Sequence, residues 1–257
     1  MIPKIIHQIW FQGLKNLPEE HKNKRESWKR LNPHFEYMLW DNESMLFIIS
    51  TLYPQYLNTY NNFKYMHQKI DFFKYIVLYT YGGIYADMDT INLKPLDSLL
   101  KRYKDSEIIV GKLAVNNLES FLLSGRSQTI NNGIIMGIKG HKLFEELIKN
   151  INNDKIYLSK YSEINNTTGP SFFTEIVNKL KNDKITILDS DYLEPCYSKN
   201  PYCVVSKKAY ADHQHSQSWV DGGLLNLATL YYFLKRNTWI LAFPVIYYLA
   251  KKTKKIN

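Results

Sequence analysis

The chain has 257 residues, of which 45% are apolar, so it can bury a sizeable core and is not a wholly disordered protein. Its formal net charge of +9 indicates a polyanionic partner, such as a phosphate-bearing ligand or anionic lipid. No basic-aromatic nucleic-acid module is recognisable, so we expect no nucleic-acid partner. The two cysteines, Cys196 and Cys203, are too few for a disulfide scaffold. We interpret them as reduced thiols, with one local disulfide as the alternative.

The first 90 residues predict strands that alternate with helices. Pro18, Glu19 and Glu20 open a predicted helix that runs to about Leu31, because proline and acidic residues suit a first helical turn. Apolar residues at helical spacing predict another helix over 63–80, which Gly82 and Gly83 end. Apolar runs predict strands at 2–9, 35–40 and 84–86, and a helix is expected from about 42.

The pattern continues through the second half of the chain. Strands are predicted at 107–111, 133–138 and 185–188, and helices at 141–151 and 171–181. Alternating strands and helices indicate an α/β fold, which we expect to form one domain over residues 1–222.

Residues 223–257 differ, because they hold two apolar stretches and a basic tail. Each stretch is shorter than the roughly 20 residues that a membrane-spanning helix needs. They predict C-terminal amphipathic helices, which either lie on an anionic membrane surface or pack as a core helix with a basic end. The N-terminus lacks the pattern of a secretory signal, so we expect a cytoplasmic protein, peripheral on the inner face of the membrane.

Four charged residues carry the chemistry of the sequence. Asp71 and Lys74 lie three apart on a predicted helix and therefore project from one side. Asp87 and Asp89 lie two apart where a strand meets a loop and can point to one face. Paired carboxylates hold Mn²⁺ or Mg²⁺, which takes phosphate oxygens as further ligands. Taken singly, the aspartate pair also fits a solvated turn, and Asp71 also fits a helix-surface charge.

The ordered set D-x-x-K, G-G-I-Y and D-x-D resembles the pattern of glycosyltransferase family 32, a group of DXD sugar-binding enzymes that includes capsule enzymes and mannosyltransferases. It is distantly similar to the glucosyltransferase domains of large clostridial toxins. The resemblance covers about residues 1–222 and includes these further segments: 2–10, Ser27-Trp28, Asn32-Pro33, Thr168-Gly169-Pro170, and His213 with Ser218-Trp219. The family usually has arginine where this chain has Lys74, and lysine offers a point charge instead of a planar fork.

The resemblance implies a GT-A fold and retaining transfer of a sugar from a nucleotide diphosphate sugar, with UDP favoured and GDP as the alternative. The implied metal ligands are Asp87, Asp89 and His213. The implied donor contacts are Gln8, Trp10, Asp71, Tyr85, Asp87, Ser218 and Trp219. The implied catalytic group is Asp71, Lys74, Asp87, Asp89 and Trp219. The expected acceptor residues are Asn132, Thr168 and Gly169. Trp10 and Trp219 also fit core aromatics, and we interpret His215 as a surface histidine.

The expected acceptor is a saccharide, either free or linked to a polyprenyl lipid, in capsule, exopolysaccharide or O-antigen synthesis. Two other kinds of protein remain open on the sequence. A metal-dependent phosphohydrolase also uses paired aspartates but has no need of a pocket formed by Trp10 and Trp219. A basic peripheral membrane-binding protein explains the charge and the tail, yet gives Asp71, Asp87 and Asp89 no role.

Overall fold

The computed structural model describes residues 1–115, 120, 127–151, 157, 159–180, 183–197 and 203–215. The strands are β1 (Ile5–Ile9), β2 (Glu36–Trp40), β3 (Gly83–Ala86), β4 (Thr90–Asn92), β5 (Ile108–Lys112), β6 (Ile130–Gly137), β7 (Ile185–Leu188) and β8 (Ala211–His213). The helices are α1 (Glu19–Leu31), α2 (Asn42–Leu52), α3 (Leu57–Asn62), α4 (Met66–Tyr81), α5 (Asp97–Arg102), α6 (Lys142–Lys149), α7 (Lys160–Thr167), α8 (Pro170–Lys179) and α9 (Ser190–Leu193).

Six strands form one sheet in the order β2-β1-β3-β6-β5-β7. β1 runs parallel to both β2 and β3, β5 runs parallel to β7, and β6 is antiparallel to its neighbours β3 and β5. β4 and β8 form a separate antiparallel pair. The predicted α/β class is therefore confirmed, with a sheet that is mostly parallel and has one reversed strand.

Two hydrophobic clusters cover the two faces of the sheet. Successive side chains of a strand point to opposite faces. Accordingly, Tyr85 of β3 packs with α2, α4, α6 and α8, whereas Ile84 and Ala86 pack on the opposite side with Trp28 of α1 and Leu99 of α5. The sheet is thus the middle layer between two layers of helices, an arrangement in which each strand is buried on both faces.

The predicted elements lie close to their expected positions. Helix α1 follows Pro18 and ends at Leu31, and α4 ends before Gly82, whose φ of 68° is in the left-handed region that glycine tolerates. The sequence reading omitted the short elements α3, β4, α5, α7, α9 and β8. Apart from α7, these elements span three to six residues, too few to show a hydrophobic period; α7 has eight residues, but its sequence KYSEINNT is mostly polar.

Two expectations concern the C-terminal part of the chain. The proposed segment 223–257 and its amphipathic helices lie outside the described residues, so the boundary at 222 stays a prediction. None of the helices in the described part of the chain has both the length and the apolar character needed to cross a membrane. Cys196 and Cys203 form a disulfide across 7 residues of sequence, so the interpretation of both as reduced thiols is wrong.

Candidate active site

The acidic pair lies in the turn that follows β3. The Asp87 N–H donates to the Gly133 carbonyl of β6 at 2.8 Å, and the Asp87 carbonyl accepts from the N–H of Thr90 at 3.0 Å. These bonds hold the turn against the neighbouring strand and lead the chain into β4. Both carboxylates are thereby fixed beyond the carboxyl end of a parallel strand, the edge at which α/β sheets bind their ligands.

His213 reaches the same point from a distant part of the sequence. It pairs with Thr90 in the β4–β8 ladder, which places its ring beside the acidic turn. His213 Nε2 lies 3.1 Å from Asp89 Oδ1 and 3.8 Å from Asp87 Oδ2. One ligand atom from each of the three residues lies within 4.8 Å of the others. Two carboxylates and an imidazole therefore converge closely enough to hold one divalent cation, and they are the three residues that the family resemblance implies as metal ligands.

A buried glutamate lies behind His213. Glu194 is only 1% exposed, and its two carboxylate oxygens lie 3.1 Å from His213 Nδ1 and 3.1 Å from His215 Nε2. Burial alone would raise the pKa of Glu194, but the two histidines lower it to about 2. Burial alone would lower the pKa of His213, but Glu194 and Asp89 raise it well above its usual value. His215 is buried in this cluster, so its interpretation as a surface histidine is wrong.

Lys74 connects the two parts of the predicted motif. Its Nζ lies 2.9 Å from Asp71 Oδ1 and donates to Asp87 Oδ1 at 3.2 Å and to the Asn132 carbonyl at 3.3 Å. Three acceptors thus match the three N–H donors of the ammonium group. Burial alone would lower the pKa of Lys74, but the Asp71 and Asp87 carboxylates raise it above its usual value. Lys74 is therefore a buried cation that holds the helical aspartate and the turn aspartate together.

The two oxygens of Asp87 have different surroundings, and one of them is directed at His213. Tyr85 Oη donates to Asp87 Oδ1 at 2.6 Å, so this oxygen is held by the tyrosine and by Lys74. Asp71 accepts from Asn132 Nδ2 at 2.9 Å and from Thr168 Oγ1 at 3.0 Å. Asp87 Oδ2 is held by neither Tyr85 nor Lys74 and faces His213.

Apart from Glu194 and Thr168, the side chains of this site border one cavity of about 470 Å³, a volume within the range of small-molecule sites. One wall is aromatic, with Trp10 packed against His21 at a centroid distance of 5.0 Å. The predicted residues that line the cavity are Trp10, Asp71, Lys74, Tyr85, Asp87, Asp89, Asn132 and His213. The described structure therefore brings together most of the residues that the sequence singled out.

Three predicted residues lie elsewhere. Gln8 is fully buried behind the turn, where its amide accepts from Tyr37 Oη at 2.7 Å and donates to the Asp87 carbonyl at 3.4 Å. Thr168 is also fully buried and holds Asp71 from behind, and Gly169 caps α8. These three residues do not line the cavity, and the donor role expected of Gln8 and the acceptor roles expected of Thr168 and Gly169 stay predictions. Ser218 and Trp219 lie outside the described residues.

The sequence reading missed several residues of the site. Glu194 follows the four-residue helix α9 and belongs to no recognisable motif, so no local signal marks it. His21 and Tyr161 line the cavity from α1 and α7, and Tyr197 lines it from the loop after α9. The histidine-rich segment 213–215 was the one available signal, but it does not show which carboxylate lies beneath it.

Comparisons with known proteins identify the fold and the family of the chain. The family described as "Glycosyltransferase sugar-binding region containing DXD motif" matches residues 18–105. The fold is the GT-A glycosyltransferase fold. A solved glycosyltransferase involved in glycosylation of the major capsid protein of PBCV-1 matches it with a TM-score of 0.52 at 11% identity, over 87% of this chain and 98% of that one.

An uncharacterized glycosyltransferase of Acanthamoeba polyphaga mimivirus is 31% identical over 85% of this chain and 84% of its own length. The chain belongs to this DXD-containing family, glycosyltransferase family 32. Inositol phosphoceramide mannosyltransferase 3 of Schizosaccharomyces pombe is 31% identical over 67% of this chain and 44% of its own length. A mannosyl phosphorylinositol ceramide synthase of Saccharomyces cerevisiae is 30% identical over 68% of this chain and 41% of its own length. The chain thus spans less than half of these two yeast relatives.

Proposed function

We propose that this glycosyltransferase moves a sugar, with retention at the anomeric carbon, from a nucleotide diphosphate sugar to a saccharide or lipid-borne acceptor in a metal-dependent reaction. The observation that carries the proposal is the convergence of Asp87, Asp89 and His213 on one wall of the cavity. The S. pombe relative is named as a mannosyltransferase, which adds mannose to the candidate donor sugars.

The ligand set fits Mn²⁺ better than Mg²⁺. Asp87 and Asp89 offer hard oxygens, whereas His213 offers a ring nitrogen. Mg²⁺ prefers oxygen ligands throughout, and imidazole suits the transition metals. When such a cation is bound, it neutralises the charge that develops on the diphosphate as the bond to the sugar breaks.

The residues of the chain have separate tasks in this proposal. Trp10, packed against His21, provides an aromatic face for the nucleotide base. Lys74 donates to Asp87 Oδ1 and so holds this aspartate in place, while Asp87 Oδ2 stays directed at the proposed metal site. Asp71 borders the cavity beside Lys74, where its carboxylate can accept hydrogen bonds from sugar hydroxyls.

The proposed acceptor rests on the name of one relative and on the charge of the chain. The S. pombe relative is named for inositol phosphoceramide, a lipid, and this chain has a net charge of +9 with a basic tail. We therefore retain a lipid-borne acceptor on an anionic membrane surface, with a polyprenyl-linked saccharide of capsule or related polymers as one member of this class.

The disulfide bears on the compartment. Structural disulfides persist in oxidising compartments and are rare in the cytosol, where thiols are kept reduced. Since Cys196 and Cys203 are joined, we propose a site of action outside the reducing cytosol. This proposal replaces the cytoplasmic location expected from the sequence.

Calorimetric titration with UDP- and GDP-sugars, in Mn²⁺ and again in chelator, tests the proposed function. We expect binding that chelation abolishes, and slow donor hydrolysis that releases the nucleoside diphosphate and free sugar. Asp89→Asn should lower metal-dependent turnover by about 100-fold or more, since it removes charge where leaving-group charge must be neutralised. Asp105→Asn, on the exposed loop before β5, is the matched control.

Two results would contradict the proposal. Binding of nucleotide sugars that persists unchanged in chelator would remove the metal from the reaction. Release of inorganic phosphate without any nucleoside diphosphate would instead support the phosphohydrolase alternative.

A further inference from the structure

The cluster behind His213 has no assigned role in sugar transfer. Glu194 lies on the side of the ring that faces away from the acidic turn, with Oε1 at 3.1 Å from His213 Nδ1. The opposite nitrogen, Nε2, faces Asp89 and Asp87. We infer that Glu194 is the positioning residue of the metal site: it fixes the tautomer and orientation of His213, so that Nε2 is presented to the cation. This inference rests on the proposed function.

The hydrogen-bonding chemistry sets the direction of the contact. A metal binds only the neutral imidazole, which carries one proton, and an ionised carboxylate can only accept hydrogen bonds, so Glu194 holds that proton on Nδ1. Nε2 is then the nitrogen with a lone pair for a metal. Metal-binding histidines usually donate their second N–H to such a carboxylate or carbonyl, which also makes the ring a stronger ligand.

The Glu194 carboxylate has a second histidine beside it. Its second oxygen lies 3.1 Å from His215 Nε2, and the rings of His213 and His215 stack with centroids 3.9 Å apart. His215 has a φ of 45°, a left-handed conformation that is uncommon for a residue with a side chain. Strained backbone of this kind persists where the surrounding contacts require it, and it is frequent at functional sites.

The neighbouring Asn131 cannot replace Glu194 in this role. Asn131 Oδ1 accepts from the Gly133 N–H at 3.2 Å, which turns its Nδ2 toward His213 Nδ1 at 3.1 Å. The amide nitrogen is a donor, so it cannot accept the Nδ1 proton. Without Glu194, the structure as described offers that proton no carboxylate acceptor.

The test measures Mn²⁺ binding directly, by electron paramagnetic resonance, on the full chain. Glu194→Gln retains one oxygen as an acceptor but removes the charge, and we expect the Kd for Mn²⁺ to rise about 10-fold. Glu194→Ala removes the acceptor as well, and we expect the Kd to rise about 100-fold. This is the upper end of the range for mutations of groups that orient a metal ligand. Glu107→Gln is the matched control, because Glu107 lies 3.8 Å from the buried His141 and does not line the cavity.

A second readout separates positioning from simple loss of folded protein. In donor hydrolysis, Glu194→Gln should raise the Mn²⁺ concentration for half-maximal rate, while kcat at saturating Mn²⁺ stays within about threefold of wild type. The inference is overturned if wild type binds Mn²⁺ and Glu194→Gln binds it with unchanged affinity. It is also overturned if two ions bind per chain and one is lost, because Glu194, His213 and His215 would then be ligands of their own site. A wild-type chain that binds no Mn²⁺ would overturn the proposed function and this inference together.

Discussion

Gly133 shows how closely the site is packed at the scale of single residues. A Cβ atom at this position would lie 2.4 Å from His213 Cε1 and 3.0 Å from Asp87 Oδ2. Since the first distance is far below van der Waals contact and the second is tight, Gly133→Ala must displace His213 and press on Asp87, two of the proposed metal ligands. We expect the Kd for Mn²⁺ to rise by about 10- to 100-fold, with a loss of about 1 to 3 kcal/mol in the free energy of unfolding from overpacking. Calorimetry and urea unfolding measure the two effects.

Gly140→Ala is a control of the opposite kind. Gly140 has a φ of 70° and no atom within 4 Å of its built Cβ, so alanine there meets backbone strain but no neighbour. We expect a loss of about 1 kcal/mol in stability and an unchanged Kd for Mn²⁺. If both variants weakened Mn²⁺ binding equally, the contact with His213 would not be the cause.

Lys74 is the residue on which the two aspartates depend. Lys74→Met keeps most of the side-chain volume but leaves Asp71 and Asp87 without their shared buried cation. Breaking a buried ion pair in this way costs about 3 to 5 kcal/mol, which urea unfolding can measure. Lys64→Met is the matched control, because Lys64 is 65% exposed in its pair with Glu163, and such surface pairs contribute about 1 kcal/mol or less. A loss below about 1 kcal/mol for Lys74→Met would show that the two carboxylates do not need the lysine.

At the scale of elements, His7 ties β1 to β2 and to the end of α4. Its ring is fully buried, with Nε2 at 2.9 Å from the Gly82 carbonyl and Nδ1 accepting from Trp40 Nε1 at 3.3 Å. The carbonyl needs a donor and the indole needs an acceptor, so both contacts require the neutral ring. Burial lowers the pKa of His7 to about 4, against a smaller opposing effect of the Gly82 carbonyl.

The pH dependence of stability follows from this lowered pKa. In the unfolded chain His7 titrates near its usual value of about 6.5, so below that pH the unfolded state binds a proton that the folded state does not. The stability that the neutral His7 ring contributes to the fold is therefore complete above about pH 6.5 and is lost as the pH falls toward 4. We expect His7 to contribute a loss of about 2 kcal/mol between about pH 7.5 and pH 5, measured by urea unfolding as the difference between the wild type and a His7 variant.

Two variants check the assignment to His7. His7→Asn should lower stability at neutral pH and make the acid-dependent loss smaller by about 2 kcal/mol. Part of the loss should remain, because burial also lowers the pKa of His67 to about 4. His34→Asn should leave the loss as large as in the wild type, because His34 is half-exposed and paired with Asp97 on the surface. An equally large loss in His7→Asn and in the wild type would show that His7 does not contribute to it.

How much of the site the sequence predicted depends on whether its residues are adjacent in sequence or are brought together by strand pairing. Asp87 and Asp89 were predictable because a double glycine, a short apolar strand and two spaced acids are adjacent in sequence. Glu194 was not, because its role depends on the β4–β8 pairing that brings His213 to Thr90. That pairing joins three-residue strands more than 100 positions apart, and such short strands carry no readable period. The residue pattern therefore pointed to the local half of the site, the family resemblance added His213, and Glu194 required the fold.

At the scale of the whole molecule, the site is built from three separate stretches of chain. α4 and β3 supply the charged motif, β6 supplies Asn131 to Gly133, and the segment from α9 to β8 supplies Glu194 and the two histidines. The third stretch is the least supported by regular structure, since α9 and β8 are four and three residues long. The disulfide lies in this stretch, two residues after Glu194, and so constrains the part of the site that the sheet does not hold.

The contribution of this disulfide can be measured on the whole chain. Closing a loop across 7 residues of sequence separation stabilises the folded state by about 2 to 3 kcal/mol, through the lost freedom of the unfolded chain. The double variant Cys196→Ser/Cys203→Ser should therefore unfold at a lower urea concentration, and the wild type should approach its stability when reductant is added. The reductant should leave the double variant unchanged, which makes that variant its own control. Thiol titration of denatured wild type should find no free cysteine; two free thiols in protein from an oxidising host would contradict the disulfide and restore the cytoplasmic assignment.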